Sequence, residues 1–222
     1  MKGVRVLVTA GPTHEPIDPV RFIANRSSGK QGYAIAGAFA RRGAEVVMVS
    51  GPTALADPPE VTTIRVEAAA EMLRACEANL PVDVAVFCAA VVDWRVDKVA
   101  AQKIKKTADG QAPVLKLVAN PDILKSICAG PKRPRLAIGF AAETERVVEN
   151  ARQKRLAKGC DWIVANDVSP GTGIFGGEVN AVHLITAEGV EDWRRMSKEE
   201  VGDCLAERVA GRLAARPEAG VR

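Results

Sequence analysis

The sequence predicts an α/β fold, a modified Rossmann-like, doubly wound and mostly parallel sheet with helices on both faces. Short β-branched runs alternate with amphipathic stretches along the 222 residues, the order expected of a parallel sheet covered on both sides. Hydrophobic residues make up 47% of the chain but aromatic residues only 4%. The core is therefore expected to consist of Val, Ile, Leu and Ala, which is typical of buried parallel strands. This length fits one domain, so we assign 1–222 to it, with an ordered core at 1–216 and a frayed tail at 217–222.

Seven strands and five helices are predicted. The strands are the β-branched runs Val4–Thr9, Glu45–Ser50, Thr62–Val66, Val84–Ala89, Leu136–Gly139, Trp162–Ala165 and Ala181–Ile185. The helices are the amphipathic stretches Gly32–Arg42, Ala68–Ala78, Pro121–Cys128, Arg146–Lys158 and Lys198–Ala214. Right-handed crossovers then gather the loops after the strands along one sheet edge, where such folds bind ligands.

The first strand is followed by a loop of small residues, Thr9–Thr13, in which Gly11 allows close approach of a phosphate. The pattern GxGxxG is absent, and the next helix begins some twenty residues later. The later run Ser27-Ser28-Gly29-Lys30 lacks the first glycine and the terminal Ser/Thr of a Walker A loop. Taken singly, each motif is better explained by a tight turn and a helix N-cap than by a phosphate site.

Considered together, these residues predict an anion site. The excursion after the first strand carries Arg21, Asn25, Ser27, Ser28 and Gly29 to the start of a helix. A helix N-terminus offers free N–H groups and the positive end of a dipole to an anion. Asn25 can donate and accept hydrogen bonds without charge, which suits a polar intermediate.

The fourth strand runs into Ala89-Ala90-Val91-Val92-Asp93. Small residues at the carboxyl end of a strand admit a sugar or a flat ring, and an aspartate there can accept from a base or hold a metal ion beside phosphates. A solvated loop aspartate is the alternative interpretation.

The segment near 93–118 has neither a clean helix nor a core strand, and it contains Lys103-Ile104-Lys105-Lys106. A stretch of this length in a compact domain is usually functional or makes a partner contact. Lysines on a mobile segment can close over a triphosphate. A solvated charge run on an exposed hairpin is the alternative.

Two more motifs point to the same edge. Asn120-Pro121-Asp122-Ile123 is interpreted as a helix cap with Pro121 at the first helical position. Lys154 and Lys158 are four residues apart and share a helix face, which faces either phosphates or solvent.

The remaining composition excludes several classes. The net charge of +4 is scattered along the chain and does not by itself call for nucleic acid. The five cysteines form no CxxC pair, which favours reduced thiols in a cytoplasmic protein. A strand begins at Val4, leaving no room for a signal peptide, and no apolar run is long enough to span a membrane. His14 and His183 accompany neither a GxSxG elbow nor a metal-ligand pattern.

Seven stretches between Thr9 and Ile185 together resemble the phosphopantothenate–cysteine ligase family of the bacterial, CTP-dependent type. They are TAGPTHEPIDPVRFIANRSSGKQG, CAAVVDWR, KIKK, KLVANPDIL, IGFAAET, ARQKRLAKGCDWIVANDVS and FGGEVNAVHLI. The resemblance implies a single ligase domain that joins L-cysteine to 4′-phosphopantothenate through an acyl-cytidylate, releasing pyrophosphate and CMP. CTP is then a co-substrate and Mg²⁺ the implied ion, and no flavin is expected in this chain.

The resemblance also implies roles for individual residues. Asn25 would stabilise the acyl-cytidylate, and Lys103 is the lysine of the KxKK motif; both are the implied catalytic residues. Asn25 and Ala90 would contact substrate. From the residues themselves, Arg21 and Lys105 are added as expected substrate contacts and Asp93 as the candidate metal ligand. The implied nucleotide-binding residues are Gly11, Ser27, Ser28, Gly29, Phe87, Cys88, Ala89, Asp93, Lys103, Asn120, Pro121, Asp122, Ile123, Phe140, Lys154 and Lys158.

The resemblance implies a homodimer, with the 93–118 segment acting as lid and dimer contact. Bacterial members are usually fused to a flavin-dependent phosphopantothenoylcysteine decarboxylase, so fusion to or association with such a domain is expected. Partners are otherwise the small-molecule substrates, with no nucleic acid and no membrane.

Two other classes stay open on the residues alone. An NAD(P)-dependent oxidoreductase or nucleotide sensor would share this fold, but GxGxxG is missing and the second strand ends in Val49-Ser50-Gly51 without an acid for the ribose. An RNA-binding module would rest on the lysine run, but it lacks clustered aromatic residues. The choice of CTP over ATP also stays open, because eukaryotic relatives use ATP.

Overall fold

The computed structural model describes residues 1–106, 110–169, 172 and 177–215. An eight-stranded sheet forms its centre, and strands are numbered in chain order. From one edge to the other the sheet contains β12 (Val190–Ser197), β11 (Val179–Ile185), β10 (Trp162–Asp167), β9 (Leu136–Glu143), β6 (Val84–Phe87), β1 (Arg5–Ala10), β4 (Glu45–Ser50) and β5 (Val61–Arg65). The strands from β10 to β5 are parallel, whereas β11 and β12 are antiparallel additions at one edge.

Helices cover both faces of the sheet, and the sheet separates two hydrophobic cores. One core packs α1 (Lys30–Arg41) and α5 (Lys198–Ala215) on the sheet, and the other packs α2 (Ala69–Ala78), α3 (Ile123–Ala129) and α4 (Val147–Lys158). Successive strand residues point to opposite faces, so on β1 Val6 and Val8 join the α1–α5 core while Leu7 joins the other. Val, Ile, Leu and Ala dominate both cores, as the composition predicted.

Two small hairpins lie outside the main sheet. The first pairs β2 (His14–Pro16) with β3 (Phe22–Ala24), and the second pairs β7 (Trp94–Val96) with β8 (Leu117–Ala119). β2 contacts β7, and the Ala100 N–H donates to the Ile17 carbonyl at 3.0 Å. The long loops after β1 and β6 therefore pack together at the carboxyl edge of the sheet.

The predicted fold class is confirmed, and one local prediction is wrong. Pro121 is not the first helical residue: α3 begins at Ile123, and Asp122 caps it by accepting a hydrogen bond from the Lys125 N–H at 3.1 Å. An aspartate satisfies a free N–H of the first turn, which proline cannot do. The predicted tail at 217–222 lies outside the described residues.

The 93–118 segment contributes no strand to the main sheet over its described residues, as predicted, although its two ends pair as β7 and β8. All five cysteines are free thiols. Within the described ranges no helix is long and apolar enough to cross a membrane.

Candidate functional site

A cleft runs along the carboxyl ends of the parallel strands and consists of two adjoining cavities. The α1 cavity, of about 470 Å³, reaches the N-termini of α1 and α5. The α3 cavity, of about 440 Å³, reaches α3 and α4 on the opposite face of the sheet. The residues common to both cavities are Ala89, Val91, Asp93, Phe140 and Lys154. One ligand can therefore lie on each side of the sheet while the two meet at this shared wall.

The start of α1 forms one wall of the α1 cavity. Gly29 is the N-cap residue with φ of 76°, and a Cβ there would lie 2.7 Å from the Thr53 Cγ2. The Ser27 Oγ accepts from the Gly29 N–H at 3.3 Å, and Ser28 lines the cavity beside it. The first turn of α1 contains no acidic residue, so its N–H groups and dipole are available to an anion.

Gly11 lies behind this turn and lines neither cavity. Its Cα would be 3.3 Å from a Cβ on Gly29, and its carbonyl accepts from the Ala90 N–H at 2.9 Å. It therefore supports the walls of the cleft by close backbone packing.

Asn25 lies in the α1 cavity next to the shared wall. Its Nδ2 donates to the Val91 carbonyl at 3.0 Å. Among the described residues its Oδ1 has no hydrogen-bond partner, so one end of the amide is fixed and the other is available to a ligand.

The residues after β6 divide between the cavities. Phe87 lines the α3 cavity, Cys88 and Ala90 line the α1 cavity, and Ala89 lines both. Burial raises the pKa of the Cys88 thiol to about 12, although the nearby Lys198 opposes the shift. The thiol is therefore protonated near neutral pH, and Cys88 contributes to the cavity wall as an uncharged side chain.

The α3 cavity is lined by Asn120, Pro121, Asp122, Ile123 and Lys158, together with the shared wall. The Asn120 Nδ2 donates to the Val92 carbonyl at 2.8 Å, which fixes the loop that follows β8. Lys158 forms an ion pair with Asp122, so the carboxylate that caps α3 also holds a cation at the cavity wall.

Lys154 extends from α4 into the shared wall, opposite Asp93. Burial lowers the pKa of Lys154, Glu143 opposes that shift and the neighbouring Lys158 adds to it. Asp93 is exposed. In the described chain no group of three His, Cys, Asp or Glu residues could hold a metal ion.

The far end of the α1 cavity contains residues for which the sequence predicted no role. Asn166 donates to Asn180 at 3.2 Å, Asn180 donates to the Gln31 Oε1 at 3.1 Å, and the Gln31 Nε2 donates to the Lys198 carbonyl at 2.9 Å. Lys30 and Lys198 line the same end. The only available signal was that Asn166 follows a buried strand.

The charge of the α1 cavity is strongly unbalanced. The cations in its described lining are Arg26, Lys30, Lys154 and Lys198, whereas Asp93 is the one carboxylate there. A cavity of this kind favours an anionic ligand.

Besides Gly11, three predicted site residues line neither cavity of the described chain: Arg21, Lys103 and Lys105. The Arg21 guanidinium pairs with Asp18, whose pKa it holds far below the usual range. Asp18 Oδ2 accepts from the Ile104 N–H at 3.1 Å, and Arg21 donates to the Ile104 carbonyl at 3.0 Å. Arg21 and Asp18 thus pin the lysine run through its backbone, leaving the side chains of Lys103 and Lys105 exposed.

The chain is similar in sequence to proteins of one family over nearly its whole length. Residues 1–213 match the family described as DNA/pantothenate metabolism flavoprotein C-terminal domain. The chain is 45% identical over 214 residues to the coenzyme A biosynthesis bifunctional protein CoaBC of Escherichia coli, covering 96% of this chain and 53% of that protein. It is 43% identical over 210 residues to the protein of the same name from Vibrio parahaemolyticus, covering 94% and 53%. The chain therefore spans about half the length of the curated relatives that it matches.

A solved structure agrees with these relatives. The crystal structure of the C-terminal domain of coenzyme A biosynthesis bifunctional protein CoaBC superposes with a TM-score of 0.81 and 40% identity, covering 97% of this chain and 98% of that one. The similarity thus extends over nearly the whole length of both chains.

Proposed function

The chain belongs to the family of DNA/pantothenate metabolism flavoprotein C-terminal domains, and we propose that it is a phosphopantothenate–cysteine ligase of coenzyme A biosynthesis. In this proposal it joins L-cysteine to 4′-phosphopantothenate at the expense of CTP. The supporting relatives are bifunctional proteins named for coenzyme A biosynthesis, and this chain matches about half of their length. The solved structure that it resembles is the C-terminal domain of a protein of that name.

The observation that carries the proposal is the division of the cleft into two cavities with a shared wall. A ligase that activates a carboxylate with a nucleotide needs two anionic substrates whose reacting ends meet. In our assignment CTP occupies the α3 cavity, between α3 and α4, and 4′-phosphopantothenate occupies the cationic α1 cavity. The carboxylate and the α-phosphate then meet beside Asn25, Ala89 and Lys154.

The proposed reaction has two steps. A carboxylate oxygen of phosphopantothenate attacks the α-phosphorus, the bond from this phosphorus to the bridging oxygen breaks, and pyrophosphate leaves with its electron pair. The cysteine amine then attacks the acyl carbon, loses a proton, and displaces CMP to form the amide. Converting the carboxylate into an acyl phosphate replaces a poor leaving group by a good one.

The residues of the cleft support this chemistry by charge and position. Lys154 and Lys158 offset the negative charge that builds up on the phosphates. The free Oδ1 of Asn25 can accept a hydrogen bond from an N–H or O–H group of the intermediate without adding a full negative charge, and the α1 N-terminus at Ser27–Gly29 binds an anionic oxygen. Lys103, on the segment pinned by Arg21, would approach the leaving pyrophosphate if the segment moves or a partner chain supplies it.

The cleft also fits a magnesium ion carried by the nucleotide. Mg²⁺ is usually held by one or two carboxylates together with substrate phosphates, and Asp93 is a single exposed carboxylate on the shared wall. Once bound there, the ion would neutralise phosphate charge. Our proposal includes no flavin in this chain, and a decarboxylase domain would be a fusion or a separate partner.

The test is turnover with separate nucleotides. Purified protein is mixed with 4′-phosphopantothenate, L-cysteine, Mg²⁺ and either CTP or ATP, and pyrophosphate and nucleoside monophosphate are followed. We expect pyrophosphate and CMP with CTP only. Release with ATP alone would keep the ligase and refute the choice of nucleotide, whereas no release with either would refute the ligase.

A further inference from the structure

Lys198, the first residue of α5, is a buried cation without a counter-ion. Its residue surface is 9% exposed, although it lines the α1 cavity. In the described ranges its Nζ makes no hydrogen bond and no ion pair within 4 Å. Burying an unpaired ammonium is costly, so such groups normally have a partner.

The charged groups around Lys198 do not neutralise it. Burial lowers the pKa of Lys198, the positive charge of Lys30 adds to the shift, and the Glu178 carboxylate opposes it. Glu178 is already paired with Lys30. The pair and the free lysine together therefore leave one positive charge at the far end of the α1 cavity.

Both lysines also line a neighbouring cavity of about 460 Å³ outside α1. Its lining matches the carboxylates Glu60, Glu178 and Glu199 with the cations Lys30, Arg41 and Lys198, so it has no excess positive charge to attract an anion. The α1 cavity, with four cations against one carboxylate, is the favourable side for an anionic ligand.

The two ends of the α1 cavity differ in the chemistry that they can bind. One end is the shared wall at Asp93 and Lys154, which adjoins the α3 cavity, and the other is the Lys30–Lys198 end on the α1–α5 face. 4′-Phosphopantothenate is likewise anionic at two ends, with a carboxylate at one and a phosphate at the other. If the carboxylate reacts at the shared wall, the phosphate extends towards Lys198.

We propose that Lys198, with Lys30 and the N–H groups at the start of α1, binds the phosphate group of 4′-phosphopantothenate and selects the phosphorylated substrate. This inference rests on the proposed function and adds the residue that decides substrate specificity. The phosphate supplies the missing partner of Lys198 and competes with Glu178 for Lys30.

The test compares Lys198→Met with the wild type on two substrates, 4′-phosphopantothenate and unphosphorylated pantothenate. Loss of one charge-assisted hydrogen bond should raise the KM for phosphopantothenate about tenfold to a hundredfold. The KM for CTP and the kcat/KM for pantothenate should be unchanged. Lys198→Arg should restore part of the loss, and the matched control Lys132→Met, at an exposed turn before β9, should behave as wild type.

Stability separates this role from a structural one. Removing an unpaired buried charge should leave the Tm of Lys198→Met unchanged or raise it. An equal loss of kcat/KM on both substrates, or an increase in the KM for CTP instead, would overturn the proposal.

Calorimetry with 4′-phosphopantothenate as the titrant measures the Kd of the wild type and of Lys198→Met, and it requires no turnover. If the wild type shows no ligase reaction, the proposed function fails, whereas equal Kd values for wild type and Lys198→Met would refute the phosphate contact. Weaker binding to the variant alone would support it.

Discussion

Lys103 is exposed and lies outside both cavities, yet it belongs to the KxKK motif. We predict that Lys103→Gln slows pyrophosphate release about a hundredfold, the scale of losing one charge-stabilising donor, while the Kd for CTP rises less than threefold. Stopped-flow release of pyrophosphate and equilibrium binding of CTP measure the two effects. The matched control is Lys98→Gln, an exposed lysine on the same loop. Equal losses in rate and binding would contradict a role in the first step.

Asn25 presents an unengaged amide oxygen to the α1 cavity while its Nδ2 holds the Val91 carbonyl. Asn25→Asp places a second negative charge beside the acyl phosphate and sets a carboxylate against that carbonyl. We therefore predict a turnover about a hundredfold lower, with the intermediate failing to accumulate in a quench without cysteine. Normal turnover in this variant would refute the assigned role.

At the scale of elements, the lysine run is held by the first hairpin. Asp18 accepts hydrogen bonds from the backbone of Val20, Arg21 and Ile104 and pairs with Arg21. We predict that Asp18→Asn releases the run and that trypsin cleaves after Lys103, Lys105 and Lys106 severalfold faster. The cleavage sites are read by mass spectrometry. Unchanged cleavage would mean that other contacts hold the segment.

The pH dependence of this anchor follows from the pKa of Asp18, which Arg21 chiefly lowers. A carboxylate whose pKa is lower in the folded state stabilises the fold above its unfolded pKa of about 4. That contribution is lost only as the pH falls through the lower folded pKa. Cleavage of the wild-type run should therefore be independent of this group between about pH 5 and 8.

The packing of α1 on β1 depends on a close approach at Gly32. A Cβ there would lie 2.6 Å from the Ala10 Cβ, whereas a Cβ on Gly211 in α5 would meet nothing within 4 Å. We predict that Gly32→Ala lowers the free energy of unfolding by about 1–3 kcal/mol through overpacking. Gly211→Ala should raise it by about 0.4–1 kcal/mol, because the unfolded chain loses freedom. Urea unfolding measures both, and the same sign for the two variants would contradict the argument.

The same elements show how far sequence alone predicts this fold. All seven predicted strands and five helices exist, because their hydrophobic periodicity is local information. β12 was not predicted: the charged residues Glu191, Asp192 and Arg194 mask an edge strand that is defined by pairing with β11. The hairpins β2–β3 and β7–β8 were also missed. Their strands are only three residues long, and their pairing depends on tertiary contacts.

The candidate site was predictable where its residues follow one strand or begin one helix. Ser27–Gly29 and the residues after β6 were found in this way, and both line the α1 cavity. Lys198, Gln31 and Asn180 were missed because they come from the starts of two helices and an antiparallel strand far apart in sequence. No local sequence pattern predicts that these three residues lie together in the folded chain.

At the scale of the whole molecule, exposed apolar side chains lie on the strands of the two hairpins and in the loops that join those strands. They include Val20, Phe22, Trp94, Val99 and Leu117. The hairpins are in contact through β2 and β7, and the lysine run is pinned to the same unit. Several exposed apolar side chains on two hairpins that contact each other are typical of an interaction site, so we propose that this hairpin surface forms a homodimer.

The final prediction tests that assembly. The wild type should have a mass by light scattering of twice the 23.5 kDa of one chain. In a two-fold dimer each substitution occurs twice, and burying a carboxylate without a partner is costly. Val99→Asp and Leu117→Asp should therefore each weaken association at least about a hundredfold, equivalent to ~2.7 kcal/mol. Leu156→Asp, on α4 and 71% exposed, is the matched control and should stay dimeric. Dissociation by Leu156→Asp, or intact dimers of both hairpin variants, would place the interface elsewhere.

If Lys103 acts on the partner's cleft, ligase activity should fall in step with the dimer fraction, because neither cavity of the single chain includes Lys103.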